Sequence, residues 1–521
     1  MAITRGLVIG QAGAATSQPL ATSAAIGILA KGGSFADAAI AASAVLCVIE
    51  PWNSHVGGDA FLIVHDAKTG ENIALNGSGV APASATRESY KKSIPVHGPR
   101  ATTVPGLVDM WGVFHARWGR LPLAEILAPA IAYARHGFPA GPRLLIKAKD
   151  GAAALKKLPA LGFGADTALG DIVTQPDLAN TLETIATEGT RAFYEGALAE
   201  KICAGSDGHF TPADLAGHHT TVLPPLAVEY RGLTVYCQPP PSQGVILAEE
   251  LGLAHGFDLA SMDAPTRAHV LVECKKLAFT DRNRILADEA DVSGLLTNDF
   301  LNSRRAQISL EAAGPDDLPP PGAGSDTTYF LVADADGNAV SFIQSVFHNY
   351  GAAWMPEGTG VLMNNRLTGF SLNPESPNYL QPGKRPAHTL NAWLATDTEG
   401  KLALVGGTPG AHVQVQTNLQ LIVNAVDLGM NPQQAIEAPR WQHLWREGWQ
   451  NSGPHPSGPS VLQIENRVGE PLIKALRQRG HVVEPLRPWA HGSAAQLLQV
   501  LPSGAFAIGS DPRVDGHAAT L

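Results

Sequence analysis

The sequence predicts an α+β layered fold, with strand pairs beside long helices rather than a doubly wound alternation of the two. Two observations carry this. Apolar strand segments meet across tight turn signals, at Asp66 to Gly70 and at Asp334-Ala335-Asp336-Gly337, which reads as hairpins. Around them lie long helical segments in a chain that is 45% hydrophobic and only 16% charged, so the layers have ample apolar surface to bury.

The elements follow in order. Small and apolar residues repeat at helical spacing from Ser17 to Lys31, up to Gly32-Gly33. Ser34 can cap a second helix from Phe35 to Ile49, which Pro51 stops. A glycine-containing turn, Trp52 to Asp59, leads into a strand from Ala60 to Val64 and a return strand from Asn72 to Leu75. Helices are expected at 108–117, 123–136, 178–188 and 196–203, and a short one after Thr211-Pro212. Leu233 to Cys237 reads as a strand, and 245–255 and 265–281 as helices. The tract Glu311 to Asp326 has one large apolar residue, Leu318, so it buries little and is expected to be mobile. Strands at 327–333 and 339–346 follow, and a further loop spans Asn451 to Pro459. No internal repeat is present.

Bulk properties exclude several classes. A net charge of −10 with no Lys/Arg run argues against a nucleic-acid partner. The longest apolar run, Ala38 to Ile49, is too short for a membrane span, and Gly6 to Gly10 is too short for the core of a secretory signal. A cytoplasmic protein is expected. Four cysteines stand far apart among mostly apolar neighbours, which suits buried thiols. Without Cys-x-x-Cys or His-Glu-x-x-His, neither a metal nor a cofactor is expected; His55 and His218-His219 lack ligand spacing. The absence of Gly-x-Ser-x-Gly removes the α/β-hydrolase alternative.

One junction carries unusual chemistry. At Gly324-Ser325-Asp326-Thr327-Thr328-Tyr329 the polar, proline-rich tract gives way to an apolar strand. Cleavage between Asp326 and Thr327 would give Thr327 a free α-amine. Its hydroxyl would then be a nucleophile with a proton acceptor on the same residue. Taken alone, the junction reads better as a linker before a strand-opening threonine, because β-branched residues favour strands.

The rest of the chain weighs against that plain account. It contains Lys31-Gly32-Gly33-Ser34-Phe35-Ala36-Asp37-Ala38-Ala39, then Glu50-Pro51 and Val56-Gly57-Gly58-Asp59-Ala60-Phe61. Ala81-Pro82-Ala83-Ser84-Ala85-Thr86-Arg87, Val104-Pro105-Gly106, Trp118-Gly119-Arg120-Leu121-Pro122 and Pro239-Pro240-Pro241-Ser242 follow. Beyond the junction stand Leu362-Met363-Asn364-Asn365, Gly383-Lys384-Arg385-Pro386 and Gly407-Thr408-Pro409-Gly410. In this order they resemble the γ-glutamyltransferase family of N-terminal-nucleophile hydrolases over almost the whole chain.

The resemblance implies a four-layer αββα sandwich built jointly by fragments 1–326 and 327–521, a heterodimer that can itself pair. It implies cleavage between Asp326 and Thr327, Thr327 as nucleophile, Ser345 as the hydroxyl that hydrogen-bonds it, and backbone N–H groups of Gly410 and Ala411 as the oxyanion donors. Arg87 matches the arginine that pairs with the substrate carboxylate.

Four positions depart from the transpeptidase pattern. Tyr329 stands in place of a histidine, Phe347 in place of an asparagine, Gly369 in place of an acid that binds the substrate ammonium, and His388-Thr389 in place of two serines. Within the same motif Arg366 stands in place of a glutamine and adds a positive charge nearby. Loss of the acid and gain of Arg366 disfavour an amino-acid head and favour a carboxylate held by Arg87 and Arg366, with His388 and Thr389 as further substrate contacts. For His388 a buried supporting role is slightly preferred. The expected partner is therefore a small anionic amide, as in the oxamate amidohydrolases and glutaryl-type acylases of the family. Two alternatives stay open: a γ-glutamyl hydrolase or transferase, and a non-catalytic family member.

Overall fold

Strand Asp326–Ala333 lies inside a central sheet, flanked by Gly13–Thr16 from near the start of the chain and by Ala339–Phe347, the strand that follows it. The computed structural model describes residues 5–315, 326–445 and 460–521. The expected mobile tract (from 316 to 325) and the loop 451–459 fall outside the described residues.

Two seven-stranded antiparallel sheets form the centre. One has the order His517–Thr520, Gly13–Thr16, Asp326–Ala333, Ala339–Phe347, Asp59–Asp66, Glu71–Gly77, Thr221–Leu223. The other has the order Val8–Gly10, Phe506–Ser510, Gln496–Val500, Leu402–Gly407, Trp393–Thr396, Leu233–Cys237, Leu226–Tyr230. Each sheet takes strands from before and after residue 326. Fragments made by a cut there would remain interleaved through ladder hydrogen bonds.

The period-2 alternation of the central strand sorts its side chains into two cores. Tyr329, Leu331 and Ala333 face the other sheet, where they meet Leu394, Val405 and Leu498. Phe330 and Val332 face outward into a helical layer containing Pro19–Ala30, Phe35–Ile49 and Leu123–His136. On the far side Gly244–Ala254, Ala264–Ile285 and Val413–Val426 cover the second sheet through Val235, Leu404 and Leu497. The layers are thus helix, sheet, sheet, helix, as expected.

Local chemistry fixes the helix that matters most to the site. Ser34 accepts from the Asp37 N–H and the Asp37 carboxylate accepts from the Ser34 N–H, a reciprocal cap that starts Phe35–Ile49. Every residue of that helix is buried, and its many alanines allow close approach on all sides. Among the described residues no helix is long and apolar enough to cross a membrane. Cys47, Cys237 and Cys274 are buried and Cys203 half-buried, all as free thiols.

Candidate active site

The junction opens the central strand, and a bulge aims it. Asp326 pairs with Phe347 and Thr328 with Gln344, so Ser345 and Val346 together oppose Thr327. Such a bulge breaks the ladder locally and re-aims the residues in it. Thr327 is 6% exposed, and its hydroxyl donates to Ser345 Oγ at 3.3 Å. Ser345 Oγ also accepts the Phe347 N–H at 2.8 Å. The backbone at Phe347 has φ of +84°, a costly left-handed conformation for an aromatic residue.

The next two residues anchor the nucleophile to both layers. Thr328 Oγ1 lies 2.7 Å from Ser17 Oγ, which donates to Glu50 Oε2 at 2.8 Å. Ser17 has one proton, so Thr328 is the donor in their shared bond. Tyr329 turns the other way, with its hydroxyl 2.9 Å from Ser341 Oγ. A Cβ at Gly407 would lie 2.2 Å from the Tyr329 ring, so the glycine there is required by packing. The tyrosine standing in place of a histidine therefore seats the end of Leu402–Gly407, from which the chain runs to Gly410-Ala411.

Gly410 and Ala411 have φ of +128° and +52° and immediately precede helix Val413–Val426. Backbone amides at a helix N-terminus favour negative charge, as an oxyanion requires. Gln243 fixes this turn: its amide donates to the carbonyls of Ala411 at 2.8 Å and Thr389 at 2.7 Å.

Phe347, Gly369, His388 and Thr389, the four pocket positions singled out in the sequence, line one cavity of about 50 Å³. Gln243, Arg282, Asn283 and His412 complete much of its wall. No Asp or Glu lines this cavity among the described residues. Added carbon at Gly369 would press on Pro386 Cβ at 3.3 Å, so an acid there needs its neighbour to shift.

One predicted contact is corrected. Arg366 is not a free positive charge facing substrate: it is fully buried, its Nε donates to Asp59 Oδ2 at 2.9 Å, and its guanidinium stacks 4.1 Å over the Phe347 ring. Packing carried it behind Phe347, where Asp59 neutralises it. Arg87 is not among the residues that line this cavity, and neither is Thr327. Arg87 is half-buried and donates to the Tyr90 carbonyl at 2.6 Å.

His388 lines the cavity and is buried beside Asp59. Its Nδ1 accepts the Leu390 N–H at 3.3 Å and its Nε2 lies 3.5 Å from Asp59 Oδ2. Burial, reinforced by Arg366, lowers His388 to about 4, so it is neutral at pH 7. Burial works to raise Asp59, but His388 and Arg366 together hold it below the usual carboxylate value.

Asp59, Gln243, Arg282 and His412 were given no role from sequence. Asp59 stood inside a quoted motif and Gln243 just after one, but their partners lie far along the chain. The metal-capable trio His269, Glu273 and His481 also emerges only in space, and there Lys276 Nζ sits 2.9 Å from Glu273 Oε1.

The gamma-glutamyltranspeptidase family model matches residues 21–521. This chain belongs to that family. It is 36% identical to the glutathione hydrolase-like YwrD proenzyme of Bacillus subtilis (strain 168), over 96% of this chain and 97% of that one. It is 34% identical to the oxamate amidohydrolase proenzyme of Klebsiella pneumoniae subsp. pneumoniae, over 96% of each. The crystal structure of a cephalosporin acylase from Bacillus halodurans superposes with a TM-score of 0.90 at 34% identity, covering 100% of this chain and 98% of that one. As a member of the gamma-glutamyltranspeptidase family with this N-terminal-nucleophile fold, the protein is an amide-bond hydrolase.

Proposed function

We propose that the chain cuts itself between Asp326 and Thr327 and then hydrolyses an amide of a small anionic acid through an acyl-enzyme on Thr327. In the first step Thr327 Oγ1 attacks the Asp326 carbonyl carbon. The C–N bond breaks, an ester forms, and water hydrolyses it to leave an Asp326 carboxylate and a free Thr327 amine. In turnover that amine, with a reference pKa of about 7.7–8.0, takes the hydroxyl proton as Oγ1 attacks the substrate carbonyl. Ser345 orients the hydroxyl, and the N–H groups of Gly410 and Ala411 stabilise the oxyanion. The proton passes to the leaving amine, and water releases the acid. The products of cleavage are a 326-residue and a 195-residue fragment of the 521-residue chain, held as a heterodimer by their shared sheets.

The observation that carries the substrate reading is the cavity wall without a carboxylate. An α-ammonium would be desolvated there with no counter-charge, at a cost of several kcal/mol. The cavity's size, room for roughly a few waters, suits a short acyl group. The test is ammonia release from oxamate against anilide release from γ-glutamyl-4-nitroanilide; faster turnover of the glutamyl compound refutes the reading. A γ-glutamyl substrate is the second reading, favoured by the glutathione hydrolase-like name of the 36% identical relative. Thr327→Ala should remain one chain and lose activity by about 10³-fold or more, the scale of removing a nucleophile.

A further inference from the structure

Arg282 lies near the end of helix Ala264–Ile285, opens onto the cavity that Phe347 and Thr389 also line, and is 3% exposed. Its hydrogen bonds are unusual for a buried guanidinium because every acceptor is neutral. Nη1 donates to His412 Nδ1 at 2.7 Å and to Gln243 Oε1 at 3.4 Å. Nε and Nη2 donate to Asn283 Oδ1 at 3.1 and 2.8 Å. A guanidinium has five N–H donors, so one Nη2 hydrogen has no acceptor among the described residues. No carboxylate forms an ion pair with Arg282 there.

The charge ledger around it does not close. Burial lowers Arg282 to about 9, so it remains charged at neutral pH. The carboxyl that acts on it most is Glu250, which burial raises to about 8 and leaves mainly protonated at pH 7. Asp59 is committed to Arg366. A buried cation without a counter-charge is costly; the Phe279 ring, 4.7 Å from the guanidinium, offsets part of that cost, and an anion entering the cavity would relieve more of it.

We infer that Arg282 is the specificity-determining residue of the cavity, the anchor for a carboxylate carried by the substrate. This inference rests on the anionic-amide reading and names the group that enforces it, in place of Arg366. It also gives Asn283 and His412 a task, since they hold the guanidinium plane so that its remaining donor meets the ligand.

Two variants test it. Arg282→Gln removes the charge. Asn283→Asp keeps the arginine and places a carboxylate where an amide oxygen already accepts two of its hydrogens, so the charge is cancelled at constant shape. Both are first run on a denaturing gel to confirm that they are cut as the wild type is. The readout is the ratio of kcat/KM between oxamate and its neutral isostere oxamide, and between glutaryl-4-nitroanilide and its methyl ester. Wild type should prefer the charged member of at least one pair, and each variant should lower that preference about 10- to 100-fold, the scale of a charge-assisted hydrogen bond. If wild type prefers the charged member and Asn283→Asp keeps that preference, Arg282 is not the anchor while the anionic-amide reading stands. If wild type prefers the neutral member of both pairs, the anionic-amide reading fails and the inference falls with it.

Discussion

Arg366 and Arg282 are both buried guanidiniums associated with one cavity, and they are opposites. Arg366 lies behind Phe347 with Asp59 at 2.9 Å, so its charge is cancelled inside the fold. Arg282 opens onto the cavity among neutral acceptors, so its charge is left for something else. The difference teaches that an arginine's place in a motif does not say whom its charge serves; the nearest carboxylate does. Arg366 stood inside a substrate-binding motif and pairs with Asp59, while Arg282 stood in an unremarked helix and lines the cavity.

The largest effect that would break this contrast is on stability. Asp59→Asn leaves Arg366 buried without a counter-charge and should cost about 3–5 kcal/mol, read as a lower urea midpoint. A loss under about 1 kcal/mol, the scale of an exposed pair, would mean that Arg366 is compensated elsewhere. Arg282→Gln should cost less than Asp59→Asn in the same denaturation series, because it removes an uncompensated charge; an equal cost would make the two arginines alike.

Acid sharpens the account of the buried ring beside Asp59. Burial lowers His388 and His218 to about 4, and His55 and His491 to about 3, against an unfolded value of about 6.5. The unfolded chain therefore takes up protons first. The stability these rings contribute is full above about pH 6.5 and is lost as pH falls toward 4 and 3. Asp59, held low, adds its own loss below the ordinary aspartate value of about 3.9. Glu250, raised by burial to about 8, works the other way over this range, so the ring is isolated by comparing the change in urea midpoint between pH 7 and pH 5 for wild type and His388→Gln: the wild type should lose more, and an equal change would show that His388 is not lowered in the fold.

The smallest expected effect is at the nucleophile. Ser345→Ala removes one hydrogen bond to Thr327 and should slow cutting about 2- to 10-fold. A block as complete as that of Thr327→Ala would give the serine a proton-transfer role instead.

Much of the fold was legible because its signals are local. Ser34, Asp37 and Pro51 bound Phe35–Ile49 within the sequence, and the glycine and proline signals around Leu123–His136 and Leu233–Cys237 do the same. The sheet order was not, since Gly13–Thr16 pairs with both Leu331–Ala333 and His517–Thr520. The site divided in the same way. Thr327, Ser345 and the Gly410-Ala411 turn were found from ordered motifs, and Thr327 does meet Ser345. The partner that redirects Arg366 lies 307 residues away, and nothing in the pattern around Arg282 marks it as facing a cavity.

The central claim is the cut that frees Thr327, and one measurement reaches it directly: intact-mass analysis of the purified protein with N-terminal sequencing of the smaller piece. The account predicts two chains, residues 1–326 and 327–521, the smaller beginning Thr327-Thr328-Tyr329. A single uncut chain after prolonged incubation, or a new N-terminus at any other residue, would contradict it.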